Sequence, residues 1–443
     1  MSDTNFKYFQ TTQFRIKELS MEVQIGGSKQ KIDISGIFEE INLFDNIFMP
    51  CMSANIVIRD SQNLFDKIKL NGDEKVIIII DKGATNTKIF DYKKEFVVYK
   101  ISDRSNLNST SQIYTLNLIN EDYLYSLQKR IKQHFKCLYS EVVTKVLSDY
   151  LKVTNARANS LGSGIGNIYP TKNIQDIVIP FLTPFDTFEF VAKRAISLQG
   201  NPDFVFYENM AGYNFEPISE IMIRDSRFTI NFKPKNVTHD DNFSEFLGAR
   251  EMKVLSSFDT IDNIRNGSYT GKFIGFDTIT RTQNILKIND TFSQVKNHAN
   301  KYPNLVSVKF KNDKSTYEAE DSRTVIYPFT ITRTQLQYIK ENNPPMATIL
   351  DNTHEYMFQR KAIFTNLMQK RIQVALPGNF GLYSGSMVEL IVPKFGTKEP
   401  NAGYNDTIDQ TLTGKYLIVG ARHVIKYNKH ETLIEVATDS NIR

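Results

Sequence analysis

Residues Gly414 to Asp439 read GKYLIVGARHVIKYNKHETLIEVATD, two short runs around a polar turn. In the first run Leu417, Val419, Ala421 and Ile425 share one face, and Tyr416, Ile418, Arg422 and Val424 the other. In the second, Ile434 and Val436 point one way and Leu433, Glu435 and Ala437 the other. Side chains of a strand alternate with period two, so the pattern predicts a hairpin buried on most of both faces. Lys426 to His430 carries Tyr427 and Asn428 among charges and reads as an exposed turn. Almost nothing follows the hairpin, so it closes a β domain.

Working outward, residues 1–120 read as antiparallel β. Met21 to Ile25 alternates, Gly26-Gly27 turns, and Lys31 to Ile34 returns. Cys51 to Arg59, Val76 to Ile80, Phe96 to Ser102 and Ile113 to Ile119 complete about six strands, with a short helix begun by Ser61. From 121 the period changes. Ser140 is placed to cap a helix carrying Val142, Val143, Val146, Leu147, Tyr150 and Leu151. Thr183-Pro184 starts another helix, with Phe185, Phe188, Val191, Ala192 and Ala195 on one stripe. Strands return at Phe204 to Tyr207 and Tyr213 to Phe215. A helix-like run breaks at Gly267, a strand covers Tyr269 to Thr282, and a helix is expected across His354 to Gln369. Arg371 to Leu376 and Met387 to Val392 lead into the hairpin. No repeat is visible by residue identity.

The totals exclude several classes. The 443 residues suffice for two to four domains, and 41% hydrophobic content supports real cores. A net charge of +5, with no basic run beyond Lys129-Arg130-Ile131-Lys132, argues against a dedicated nucleic-acid binder; that run reads as a solvated helix face. Two cysteines, Cys51 and Cys137, are too few for a disulfide framework or a cysteine zinc site and read as buried free thiols. The longest aliphatic run, Val76 to Ile80, is far short of the roughly 20 residues a membrane span needs. The polar start has no signal-peptide shape, so synthesis and folding in the cytoplasm are expected.

No catalytic, cofactor-binding or metal-binding residue emerges. Gly162-Ser-Gly164-Ile-Gly166 is followed by Asn167-Ile168-Tyr169-Pro170, and the proline blocks the helix that a dinucleotide fingerprint requires. The six histidines show no helical zinc spacing; His239 beside Asp240 and Asp241 reads as a polar turn. His423 lies on an apolar face of the hairpin and reads as a packing residue. Glu318, Glu320 and Asp321 read as solvated, and paired acids alone nominate no hydrolase. The aromatic and basic run Phe90 to Lys100 reads as strand faces rather than a single-strand binding groove.

Several segments, in order, resemble one family. Glu39 to Pro50 followed by Ser53 to Asp60, Leu70-Asn-Gly72-Asp-Glu74 with Val76 to Ile80, and Val98 to Ser102 resemble its first-barrel signature. Ile179-Pro180, Thr183-Pro184-Phe185, Arg194-Ala195, Phe204 to Glu208 and Gly212 to Phe215 are similar to its central segment. Asn263 to Tyr269, Phe276-Asp277, Ala375 to Asn379, Gly385 to Leu390 and Pro393 lead into the hairpin. The family is that of the baseplate central hub proteins of contractile-tailed, T-even-like myovirus phages. The stretches 294–322 and 396–412 have no counterpart in it.

The resemblance implies an α+β, mainly β chain: two tail-tube-like antiparallel β-barrels joined by a mixed α/β domain. Barrel one is expected at 1–120, the connecting domain at 121–203 and 236–330, and barrel two at 204–235 and 331–443. It implies a structural virion protein without enzymatic activity or cofactor, assembled in the host cytoplasm into the tail baseplate. A homotrimeric ring would adapt a sixfold tail tube to a threefold central spike, with a lumen for non-specific passage of DNA. The partners implied are the spike, the tail tube or tube-initiator protein, the tape-measure protein and the baseplate wedge proteins. The alternatives are a tail-associated hydrolase, which needs a convergent acid pair or metal cluster, and a DNA-binding tail factor, which needs a basic surface.

Overall fold

The computed structural model describes residues 14–25, 27–68, 70–82, 91–108, 110–154, 163–232, 248–278, 281, 283–289, 297–303, 322–329, 353, 355–394 and 408–442. Seven strands come from the first 120 residues: β1 (Arg15–Ile25), β2 (Ser28–Asp33), β3 (Phe38–Asn46), β4 (Ser53–Asp60), β5 (Lys75–Asp81), β6 (Tyr92–Asn106) and β7 (Gln112–Ile119). Seven more come from later: β8 (Phe228–Phe232), β9 (Gly248–Ala249), β10 (Glu251–Ser256), β11 (Lys370–Pro377), β12 (Met387–Ile391), β13 (Gly414–Lys426) and β14 (Lys429–Thr438). All fourteen belong to one hydrogen-bonded sheet. The sequence reading expected two separate β units; their strands are directly bonded to each other.

The first unit runs β2-β1-β5-β6-β7-β4-β3, antiparallel throughout. β2 and β3 are consecutive in the chain yet lie at opposite ends of that order. Alternation drives the packing. Met21, Ile41, Ile56, Val76, Ile78, Phe96, Leu116 and Leu118 all point into one core and are almost completely buried. Ile34, Ile68 and Phe380, from outside the strands, join the same core.

The second unit runs β9-β8-β12-β13-β14-β11-β10. That is the order of the first unit with every number raised by seven. The bonding differs in direction at one strand: β8 pairs parallel with both β9 and β12, whereas β1 pairs antiparallel with β2 and β5. Its core holds Ile230, Ile372, Val374, Val388, Tyr416, Ile418, Ile434 and Val436.

β13 joins the units. One edge pairs with β14 along most of its length. On the other edge Gly414 to Leu417 pair with β12, and Gly420 to Lys426 pair with β3. A bulge between Ile418 and Gly420 inserts one residue and reverses the facing beyond it. Ala421 therefore packs with Tyr416 and Ile418, not with Leu417 and Val419 as strict alternation predicts. Ile425 reaches the core of the first unit. The turn is tighter than expected: Lys426 pairs with Lys429, and His430 already lies in the strand, fully buried.

Between the units lies a mixed segment. Thr183 caps the helix Pro184–Ala192, its hydroxyl accepting the Asp186 amide at 3.1 Å, as its position before proline predicts. The helix Tyr139–Lys145 continues as a π-helical turn, Val146–Tyr150, and its cap is Leu138 rather than Ser140. The hairpin Phe204–Asn209 and Gly212–Pro217, expected within the second β unit, bonds instead to Ile165–Ile168. Its Phe204, Phe206, Tyr213 and Phe215 fill the core of the mixed segment with Phe185, Phe188 and Val191. A further small sheet comprises Thr270–Asp277, Gln283–Asn289 and Thr324–Phe329. It follows the helix Thr260–Arg265, which ends before Gly267 (φ +77°). Of the two stretches without a family counterpart, 294–322 is described only at 297–303 and 322, and 396–412 only from 408.

Candidate functional site

The most concentrated polar chemistry lies where the first β unit meets the mixed segment. Lys94 sits on β6, Met52 just before β4, and Asn120 caps the helix Glu121–Leu127. Opposite them are Ser163, Glu208 on Phe204–Asn209, and Tyr213 on Gly212–Pro217. The Lys94 ammonium donates to the Glu208 carboxylate and to Ser163, and the Ser163 hydroxyl also donates to Glu208. Asn120 Nδ2 donates to Glu208 at 2.7 Å and to Tyr213 at 3.1 Å; the Met52 amide donates to Glu208 at 2.8 Å. The Tyr213 hydroxyl passes its proton toward Asp122 at 3.1 Å. Lys94 and Glu208 are both buried. A carboxylate with four donors is held in place and pins two parts of the chain together. Burial pushes the neighbouring Cys51 thiol up, away from the thiolate form.

A second polar cluster lies at the seam between the units. Asp45, on β3, accepts the amides of Ser384 at 3.2 Å and Ala421 at 3.1 Å. Burial pushes its carboxyl up to about 7. Nearby, His430 Nε2 lies 3.4 Å from His423 Nδ1, which is 3.0 Å from the Thr432 hydroxyl. Phe380 packs at a tilt against both imidazoles, with ring centroids 4.9 and 4.3 Å away. Burial holds both rings neutral, with His423 pushed down to about 3. His423 is thus the packing residue that its apolar face suggests. A polar turn expected over Lys426 to His430 hides His430, which the structure places in the strand with Lys429.

A cleft of about 340 Å³ opens where the parts meet, lined by Phe48, Tyr123, Phe185, Glu189, Arg360 and Phe364 among others. The Arg360 guanidinium donates to the Ala192 and Pro202 carbonyls at 3.1 Å, and burial pushes it down to about 10. The described lining holds no histidine, serine or cysteine. Among the described residues no three His, Cys, Asp or Glu side chains gather as a metal site, and no helix is long and apolar enough to cross a membrane.

The sequence candidates distribute as follows. His239 to Asp241, and Glu318, Glu320 and Asp321, lie outside the described residues. Gly166 belongs to a strand whose packing leaves no room: a Cβ there would lie 2.5 Å from Asn214 Oδ1. Cys51 and Cys137 are buried free thiols. Lys129 to Lys132 is not a helix face; the helix ends at Leu127 and the run leads into the strand His134–Cys137. Phe96 and Val98 are core residues of β6, as the strand reading holds. The polar knot had one legible signal: a glutamate within FVFYEN, a strand otherwise apolar enough to be fully buried.

The 43 kDa tail protein of prophage MuSo2 from Shewanella oneidensis matches 95% of this chain and 99% of its own, at 9% identity and a TM-score of 0.50. The chain has the fold of a prophage tail protein. The tail protein from Neisseria meningitidis MC58 matches 95% of this chain and 97% of its own, at 10% identity and a TM-score of 0.48. Prophage tail protein gp18 from Listeria monocytogenes EGD-e matches 96% and 95%, at 10% identity and a TM-score of 0.43. No protein-family model and no curated protein matches the sequence. Within the tail-protein fold, the polar knot and the histidine pair are joints between parts, and both are fully packed.

Proposed function

We propose that this chain is a structural baseplate protein, the central hub of a contractile phage tail. Three copies form a ring; each contributes two tail-tube-like barrels, so the ring presents six similar modules to a sixfold tube and three to a spike. The observation that carries the reading is the strand order, repeated with every number raised by seven. β2 and β3 are nearly continuous in the chain, as are β9 and β10, and the two members of each pair lie at opposite ends of their run. Runs whose two ends are neighbours in the chain support the reading of two tube-like barrels. The proposed parts are a first barrel over 14–119, a mixed connector over 120–222, and a second barrel built from 228–256 and 370–442.

The ring's lumen would pass DNA without sequence preference and receive the end of the tape-measure protein, while wedge proteins contact its rim. Virion assembly in the host cytoplasm belongs to the same reading. No catalysis is assigned to the chain; any lytic activity falls to the spike. Light scattering of the purified chain, alone and with spike protein, tests the reading: a trimer is expected, and a monomer at every concentration with and without spike refutes it. Clearing of peptidoglycan by the isolated chain would refute the non-enzymatic part.

A further inference from the structure

We infer that the ribbon formed by His134–Cys137 and Gln175–Val178 receives a second copy of this chain, which presents its segment Phe258 to Asp262. The inference rests on the reading of the chain as a self-assembling tail component. It names the surfaces.

The ribbon is two-stranded, with Val178 opposite His134 and Asp176 opposite Lys136. Its inner face buries Phe135 and Cys137 in the core of the mixed segment. By alternation the outer face carries His134 and Lys136 on one strand and Ile174, Asp176 and Val178 on the other. Ile174 is 70% exposed and Val178 59%. Just beyond, Phe181 sits at φ +58°, a conformation that bulky side chains rarely adopt, and is 64% exposed. Two large apolar side chains on one strand face, with a third exposed three residues on at a strained backbone position, are an uncommon use of surface.

The same face is basic at one side. Arg130, Lys132 and Lys136 are exposed along the strand and the run that leads into it. Asp176, opposite Lys136, lies 2.5 Å from His134 Nε2, so one carboxylate faces these three cations. A fitting partner is therefore apolar and acidic together.

The chain carries such a surface elsewhere. Phe258 is 66% exposed and Ile261 64%; beside them stand the exposed Asp262 and Asp259, the latter capping the helix, with Lys253 and Arg265 exposed farther out. Val254 and Leu255, at the end of β10, extend the apolar part. The two patches differ, so the contact is heterologous, of the kind that propagates from copy to copy until a ring closes. A polyanion such as DNA would use the cations but leave Ile174, Val178 and Phe181 against water, so a protein surface fits better.

The test is charge reversal on the full-length chain, read as the concentration dependence of self-association by light scattering. Lys136→Glu and Asp262→Lys should each weaken association by about tenfold or more, and the pair together should recover to within about threefold of the wild type. Phe181→Ser should weaken it too. These positions are exposed, and rescue by the double reversal itself excludes misfolding. If the wild type associates but neither reversal matters, this interface is wrong and the assembly reading stands. If the wild type never associates, both fall. Should Lys136→Glu abolish salt-sensitive binding of a duplex oligonucleotide while association is unchanged, the face is a nucleic-acid surface and the inference is overturned.

Discussion

Replacing Lys94 by methionine should loosen the joint between the first β unit and the mixed segment. Methionine fills a similar volume but carries no charge. Glu208 then keeps three of its four donors: the Met52 amide, Asn120 and Ser163. What it loses is a charge-assisted hydrogen bond, worth about 1.5–3 kcal/mol, and its countercharge in a buried setting. Breaking a buried pair from one side costs about 3–5 kcal/mol, and the three remaining donors put the expected value near the lower end. About 3 kcal/mol is a hundredfold or more in the opening equilibrium. The double variant Lys94→Met/Glu208→Gln removes both charges and should recover at least about half of the loss. The chain has no tryptophan and 21 tyrosines, so urea unfolding is followed by tyrosine fluorescence, with hydrogen exchange reporting locally on 204–217. A Lys94→Met variant within about 0.5 kcal/mol of the wild type, or single effects that simply add in the double, would refute the reasoning.

Asp45→Asn tests the seam. Burial raises the Asp45 carboxyl from 3.8 to about 7, so the folded form keeps a proton that the unfolded chain releases. Its contribution falls as pH rises from about 4 to about 7, by as much as ~4 kcal/mol, and is level above; the asparagine variant should lose that slope in denaturation measured across pH. Gly378→Ala would set a Cβ 2.1 Å from His430 Cγ, and a thermal melt should show a loss of about 1–3 kcal/mol or more. Phe206→Ala removes a ring stacked 4.1 Å from Phe188 and should cost about 3–5 kcal/mol, seen as a lower urea midpoint; a cost under about 1 kcal/mol would mean that the core collapses onto the gap.

Strand positions were largely legible, because alternation in runs such as Ser53 to Asp60 or Gln112 to Ile119 follows directly from one-sided burial. The Thr183-Pro184 helix start was legible for the same local reason. What resisted was everything set by partners distant in sequence. Nothing near Ala421 announces the bulge that turns it around, and nothing near Phe204 says that its hairpin bonds to Ile165–Ile168. Lys94 and Glu208 lie 114 positions apart, and only a carboxylate inside an apolar strand hints that a cation must come to it. The repeated strand order left no mark at the level of residue identity. A half-buried sheet asks only for alternation, which countless sequences satisfy.

The bond between Asp45 and Ala421 spans 376 positions. The edge of β3 that β13 occupies is therefore made early in translation and completed late. Through most of synthesis that row of backbone donors and acceptors faces either water or another nascent chain, and polysomes bring such chains close together. A sheet built with so long a delay folds slowly, because the closure entropy falls due before the contact that offsets it. Yield during expression should thus depend on temperature and chain density more steeply than the stability of the finished protein would suggest, and a fragment that ends before β13 should aggregate through β3.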